Sequence, residues 1–231
     1  MNLPLLERPK LGWRGALPPG RVPLTGATAS LLPLDPRRDA PALYDAAHTA
    51  PTDPELWAYL PYGPFADAED YGRWLWGQAA RLDPVFYTIV PRGQPAAGLA
   101  SYLRLDPANG VIEIGHLLFT PRLQRTIAAT EALALLLAYA FDDLGHRRVE
   151  WKCDAANARS RRSAERLGFT FEGVFRQAAV VRDRNRDTAW YAIVDGDWPA
   201  VKAGFDAWLH PSNHDPAGRQ RRSLATCRKD P

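Results

Sequence analysis

The segment that most limits what this chain can fold into is 132-ALALLLAYAF-141, ten residues with one hydroxyl and no charge. A bilayer-spanning helix needs roughly 20 apolar residues, about twice this run. Glu131 bounds it on one side, and Asp142 and Asp143 bound it on the other. Such a helix belongs in a protein core. Strand-like segments flank it: 111-VIEIGHLLF-119 before it, and 148-RVEWKCD-154 after it with Val149, Trp151 and Cys153 alternating onto one face. The helix is expected to run from Ala128 to Leu144 and to stop at Gly145. Between strand and helix lies 124-QRTIAATEA-132, a turn placed where phosphate is often held, yet without a glycine.

The rest of the composition fits a globular protein around that core. Of 231 residues, 46% are hydrophobic and 24% charged, enough for a sizeable interior. The formal charge of +3 is mild, with arginines gathered in 159–166, 182–186 and 219–229. Local patches for an anionic ligand follow, and no nucleic-acid field is required. Cys153 and Cys227 form neither a disulfide framework nor a zinc spacing, so no metal site is expected and a reducing cytoplasm is. The opening 1-MNLPLLERPKLGW-13 has no apolar stretch of signal-peptide length.

Residues 1–23 hold five prolines and little periodicity and read as an extended arm. One α/β domain is expected over 24–209, followed by a basic tail over 210–231. Its elements are a strand at 26–34, a short helix at 39–50, an aromatic turn-rich stretch at 54–65, and a helix at 69–82 capped by Asp67. Strands at 85–91 and 96–105 lead through the turn 106-DPANG-110 into 111–119. After 148–154 come a helix at 158–167 with Asn157 as cap and Gly168 as stop, strands at 169–181 and 188–194 around the polar turn 182–187, and a last helix over 199–209.

The order strand, polar turn, helix, strand, Asn-capped helix, strand resembles the centre of the GNAT acetyltransferase superfamily. The resemblance rests on 113-EIGHLLF-119, 124-QRTIAATEA-132, 157-NARSRRSAERLGFTFEG-173 and 184-RNRDTAWYAI-193. It is closest to the branch that acetylates ribosomal-protein N-termini. It implies a single mixed, mostly antiparallel twisted sheet with flanking helices, acetyl-CoA as the acetyl donor, and direct attack by a primary amine of a small molecule or a protein N-terminus.

The resemblance also implies site residues. Gln124 matches the first position of the family's pyrophosphate loop and Ala129 the last, while Ile127 replaces the central glycine. The chemistry calls for amides converging on phosphate at a helix N-terminus. Ile127 implies an ordinary helical φ, leaving Arg125 and Thr126 to supply charge and a hydroxyl beside Ala128 and Thr130; Thr126 could equally be a plain helix cap. Asn157 is expected to touch the pantetheine arm and Ser160 to lie near the thioester sulfur; among Arg159, Arg161 and Arg162, either one, with Arg162 as the candidate, meets a coenzyme phosphate or all three form a solvated face. The family's tyrosine that protonates the leaving thiolate would fall at Ala164, so that role is vacant or passes to Ser160. A backbone N–H among Leu117, Leu118 and Phe119 would polarise the carbonyl.

Glu113 and His116 are the candidate bases; three apart, they face opposite sides of an unbulged strand. Trp57, Tyr59, Tyr62 and Phe65 are the candidate acceptor wall. Two other functions compete: a coenzyme A-binding sensor without turnover, suggested by Ile127 and Ala164, and a nucleic-acid module using the arginines, for which no reading motif is present. Oligomeric state is open, a homodimer being the default.

Overall fold

The computed structural model describes residue 7, residues 10–49 and residues 55–230. Parts of the expected arm (1–6 and 8–9), of the expected helix (Ala50) and of the aromatic stretch (Pro54), together with Pro231, lie outside the described residues.

The chain forms β1 (Leu24–Thr25), β2 (Ala29–Pro33), α1 (Pro36–Tyr44, extended by a π turn Asp45–Thr49), α2 (Ala68–Ala79), β3 (Val85–Pro91), β4 (Gly98–Asp106) and β5 (Val111–Phe119). It continues as α3 (Ile127–Ala138, ending in a π turn Tyr139–Asp143), β6 (Arg148–Asp154), α4 (Ala158–Leu167), β7 (Thr170–Val181), β8 (Arg184–Val194), α5 (Trp198–Leu209) and α6 (Leu224–Lys229). The strands make one sheet in the order β1-β2-β3-β4-β5-β6-β8-β7. Its ladders are antiparallel except that between β5 and β6. The expected single mixed sheet with flanking helices is the fold observed.

The helix boundaries follow local chemistry. Asp67 accepts from Asp70 N to start α2, and Asn157 accepts from Ser160 N to start α4. Gly168, at φ 103°, closes α4 in the left-handed region that only glycine enters freely. Four expectations shift. The strand at 26–34 is interrupted by a tight turn at 26–28. The helix at 69–82 ends at Ala79, and α3 loses its α-helical winding after Ala138. The polar turn at 182–187 shrinks to Arg182 and Asp183, with φ of 51° and 58°, a two-residue hairpin turn whose twist matches its strands, so β8 starts at Arg184.

Two cores sandwich the sheet. On one face Leu133, Leu136 and Leu137 of α3 pack with Ile112, Ile114, Val149 and Trp151. Trp198, Val201 and Phe205 of α5 belong to the same core, and α5 packs against α3. Cover from both sides explains why α3 is apolar all round. On the other face Leu43, Trp57, Tyr71 and Leu75 pack with Phe86, Leu99 and Leu118. Beyond α5 the basic segment is ordered, with Leu224 and Cys227 of α6 fully buried.

Glu131 ties α3 to the first hairpin. Its buried carboxylate accepts from Ala27 N, Thr28 N, Thr28 Oγ1 and Ala29 N at 2.6–2.8 Å. Removing an acceptor that satisfies buried amides costs about 1–3 kcal/mol. Glu131→Ala should therefore lower the urea-unfolding free energy by about 3 kcal/mol, and a loss below about 1 kcal/mol would contradict this role.

Candidate active site

β5 and β6 run together only briefly. Val111, Ile112 and Glu113 pair with Arg148, Val149 and Glu150. Beyond Glu113, β5 stays with β4 as far as Phe119, and β6 stays with β8 as far as Asp154. The strands part into a wedge, and among the described residues no strand pairs with the β5 edge carrying Leu117, Leu118 and Phe119.

The root of the wedge is a charged clamp. Parallel register sets Glu113 beside Glu150, and Lys152 Nζ lies 3.0 Å from Glu113 and 2.5 Å from Glu150. Arg104 approaches Glu113 to 2.6 Å, and Arg148 joins Glu150 at 2.8 Å to Glu172 at 2.5 Å. Lys152 is almost wholly buried, its ammonium 3.8 Å from the centre of the Trp190 ring. The cations hold together two carboxylates that would otherwise repel.

A bulge re-aims His116. Ser101 pairs with Gly115 and Leu99 with Leu118, so β5 spends one more residue than β4 across that interval, and His116 takes φ 50°. An unbulged strand would put Glu113 and His116 on opposite sides; here β5 is bulged, and the extra residue resets the alternation. His116 stacks with Tyr62 (5.6 Å between ring centres) and lies 5.2 Å from Phe86, on the α1–α2 face that also carries Glu113. Burial is the main cause that pushes the His116 pKa down to about 4, with Arg104 and Arg81 adding to it. The imidazole is therefore neutral at physiological pH with its lone pair free, although the same shift makes it a weaker base than an ordinary histidine.

At the far end of the wedge, Thr126 caps α3 by accepting from Ala129 N at 3.1 Å. Ile127 is helical, as expected, and the left-handed conformation falls instead on Arg125 at φ 61°. Gln124 Nε2 donates to Phe119 O, tying the turn to β5. Among the described residues no protein acceptor meets the amides of Ile127 and Ala128, and the Arg125 side chain is exposed beside them. Ala128, Ala129 and Thr130 are buried in the first turn. These features fit a pyrophosphate.

Across the wedge, Ser160 Oγ lies 2.9 Å from Trp151 Nε1. Ala164 is fully buried and offers no acid. Of the arginines on α4, Arg161 bonds Tyr191 Oη, Arg159 pairs with Glu55 at 3.3 Å, and Arg162 is exposed.

The aromatic stretch divides in role. Trp57 is buried, packed on His48, Phe65 and Tyr71. Gly63 lets the turn pass that ring, since a Cβ there would come within 2.3 Å of Trp57. Tyr62 stacks on His116 and lies tilted against Trp74, its buried hydroxyl without a protein partner among the described residues. Tyr59 is exposed and donates to Ala156 O at 3.3 Å. Arg182 in the β7–β8 turn donates to Leu60 O and Gly63 O. A polar cleft of about 820 Å³ opens between Asp154–Ala156 and that hairpin.

Sequence reading missed Lys152, Arg104, Trp190 and Arg182. Alternation in 148–154 does put Glu150 and Lys152 on the polar face. Their partner, however, depends on the parallel register with β5.

A divergent pair of parallel strands, with a capped helix N-terminus at one end and an Asn-capped helix across the gap, is the arrangement of the acyl-CoA N-acyltransferase fold. The comparisons agree. Residues 30–170 match the family model described as an acetyltransferase (GNAT) domain. A GCN5-related N-acetyltransferase from Brucella melitensis superposes with a TM-score of 0.92 and is 40% identical, over 94% of this chain and 99% of that one. The ribosomal-protein-serine acetyltransferase of Escherichia coli is 35% identical over 42% of this chain and 55% of its own length. YdaF of Bacillus subtilis, named as a candidate ribosomal N-acetyltransferase, is 30% identical over 46% of this chain and 57% of its own length. The match thus spans little more than half of each of those two relatives. The chain belongs to the GNAT acetyltransferase family and resembles its ribosomal branch; acetyl transfer from acetyl-CoA is the family's activity. No helix among the described residues is long and apolar enough to cross a membrane.

Lys152→Met should strip the clamp of its shared cation and cost about 3–5 kcal/mol in chemical denaturation. Adding Glu113→Gln should recover part of that loss, and strictly additive losses would show that the groups do not act as one unit.

Proposed function

We propose that the protein is an N-acetyltransferase moving an acetyl group from acetyl-CoA to a primary amine by direct attack. The observation that carries this reading is the wedge itself, an unpaired β5 edge leading from the acceptor-facing His116 to the open amides of α3. Acetyl-CoA supplies an acetyl thioester whose carbonyl carbon is open to attack.

Each group of the chain has a stated task. Arg125, Arg162 and the first amides of α3 hold phosphate, with Gln124 bracing the loop. Asn157 and the edge of β5 hold the pantetheine arm, and an N–H among Leu117, Leu118 and Phe119 polarises the carbonyl. Tyr62 and His116 face the amine, with Tyr59 and the Phe65 region closing the acceptor side. His116 takes the amine proton, directly or through water. Ser160 donates a hydrogen bond to the departing sulfur. Glu113, gripped by two cations, braces the wedge and serves as a base only through water. The acceptor class that best fits is an α-amino group of a peptide or small metabolite, supported by the ribosomal relatives' names.

The deciding experiment is mass-spectrometric detection of acetylated product over a panel of amines and peptides, beside calorimetry with acetyl-CoA. Transfer with binding supports the enzyme; binding without transfer to any member supports the coenzyme sensor; no binding rejects both. Arg125→Ala should weaken acetyl-CoA binding by about tenfold, the worth of one charge-assisted hydrogen bond. Unchanged affinity would remove Arg125 from the phosphate site.

The pH profile follows from His116. An imidazole whose pKa lies near 4 stays neutral through the working range, so kcat/KM should rise with pH along the acceptor's own amine titration. It should show no inflection where an ordinary histidine titrates, near about 6.5. Two acceptors of different amine pKa should displace the rising limb accordingly; a fixed limb near about 6.5 would contradict the placement of His116.

A further inference from the structure

We propose that Trp151 is a positioning residue for thiolate departure: its indole N–H fixes the Ser160 oxygen so that the Ser160 hydroxyl proton is aimed at a sulfur atom. The proposal rests on the acetyltransferase reading above and adds to it a residue that contacts neither amine nor phosphate.

A serine hydroxyl has one proton to give and two lone pairs to offer. The Trp151 indole is a donor only, so at 2.9 Å it must occupy a lone pair of Ser160 Oγ. Its direction is fixed. The ring is 4% exposed, packs edge-on against Phe169, and rises from a β6 position paired with Tyr191. The serine backbone is held as well, its N–H bonded to Asn157 Oδ1 at 3.0 Å.

What remains is the Ser160 proton. Serines inside helices commonly return it to the carbonyl four residues back, and Ser163 does so here, to Arg159 O at 2.9 Å. Ser160 does not. The corresponding carbonyl, Ala156 O, is taken by Ala158 N and by the Tyr59 hydroxyl. Among the described residues no carbonyl takes that proton, and its neighbour is the buried Cys153 thiol, whose pKa burial pushes up and Ser160 draws down. A neutral thiol is a weak acceptor, so the proton is held where a stronger sulfur acceptor can claim it. Trp151 is also the first β6 residue beyond the last pair with β5, which puts the Trp151–Ser160 pair at the wall of the wedge.

The step balances simply. The C–N bond forms as the C–S bond breaks, and the nitrogen proton passes to His116 or water. The sulfur leaves with the bonding pair as a thiolate, held by the Ser160 O–H until solvent protonates it. Ser160 keeps its proton throughout.

The test uses the full chain and needs no turnover. The thiol of bound coenzyme A is titrated by its thiolate ultraviolet absorbance, with the desulfo-CoA complex as blank. In the wild type it should titrate below the free thiol. Trp151→Phe, which keeps a ring but loses the N–H, and Ser160→Ala should each return it toward the free value. The double variant should go no further, since the two groups act in series. In turnover, Trp151→Phe should lower kcat by about tenfold with the KM for acetyl-CoA within about twofold. A Trp151→Phe thiol that titrates like the wild type, or losses that multiply in the double variant, would overturn the proposal. Should Trp151→Phe not fold, the wild-type indole N–H resonance of Trp151, assigned through Ser160→Ala, decides: it should move with coenzyme A and not with desulfo-CoA, and equal movement with both contradicts the assignment. A shifted thiol titration without acetyl transfer to any amine would count against the enzyme reading alone.

Discussion

The structure depends on the clamp at the root of the β5–β6 wedge. The two parallel strands part after three paired residues, and the clamp sits where that pairing stops. Glu113 and Glu150 occupy that place side by side, and Lys152 binds both from the second strand while Arg104 and Arg148 close the ends. The clamp thus joins four strands, β4, β5, β6 and β7, by charge. The opposite face needs no such device, because α3 and α4 cover it with apolar side chains.

From that fixed root, three departures from ideal geometry build the site. The parting of the strands frees one edge of β5. The bulge at His116 turns an imidazole toward the Tyr62 wall. The left-handed residue at Arg125 turns the chain into α3 while leaving the first amides of that helix open. Each alone costs backbone pairing or conformational freedom, and each lies where coenzyme or amine would be met. The segment 55–65 then roofs the wedge, held by Arg182, Tyr59 and the Glu55–Arg159 pair.

Much of the frame was legible from the sequence because it is written in local chemistry. Asp67, Asn157 and Gly168 mark helix ends by their own hydrogen bonds or φ; alternation marks the strand 148–154, and short apolar runs mark 85–91 and 111–119. Family resemblance ordered the blocks. Long-range chemistry was not legible. The bulge at His116 depends on how β5 registers against β4, and nothing in EIGHLLF marks a histidine for positive φ. Lys152 shows as a polar alternate position, but its two carboxylates converge only once the strands are placed in parallel. Trp151 reads as plain core until Ser160 is seen opposite its nitrogen. The turn at 182–187 looked longer than it is, because six polar residues hide a two-residue hairpin.

The central claim is that the unpaired edge of β5 and the first turn of α3 form one binding track. Amide hydrogen exchange with and without acetyl-CoA tests it most directly. The account predicts slowed exchange at Leu117–Phe119 and at Ile127–Ala128 together, with the β3–β4 ladder unchanged. Protection confined to other strands, or none at either segment under saturating acetyl-CoA, would contradict it.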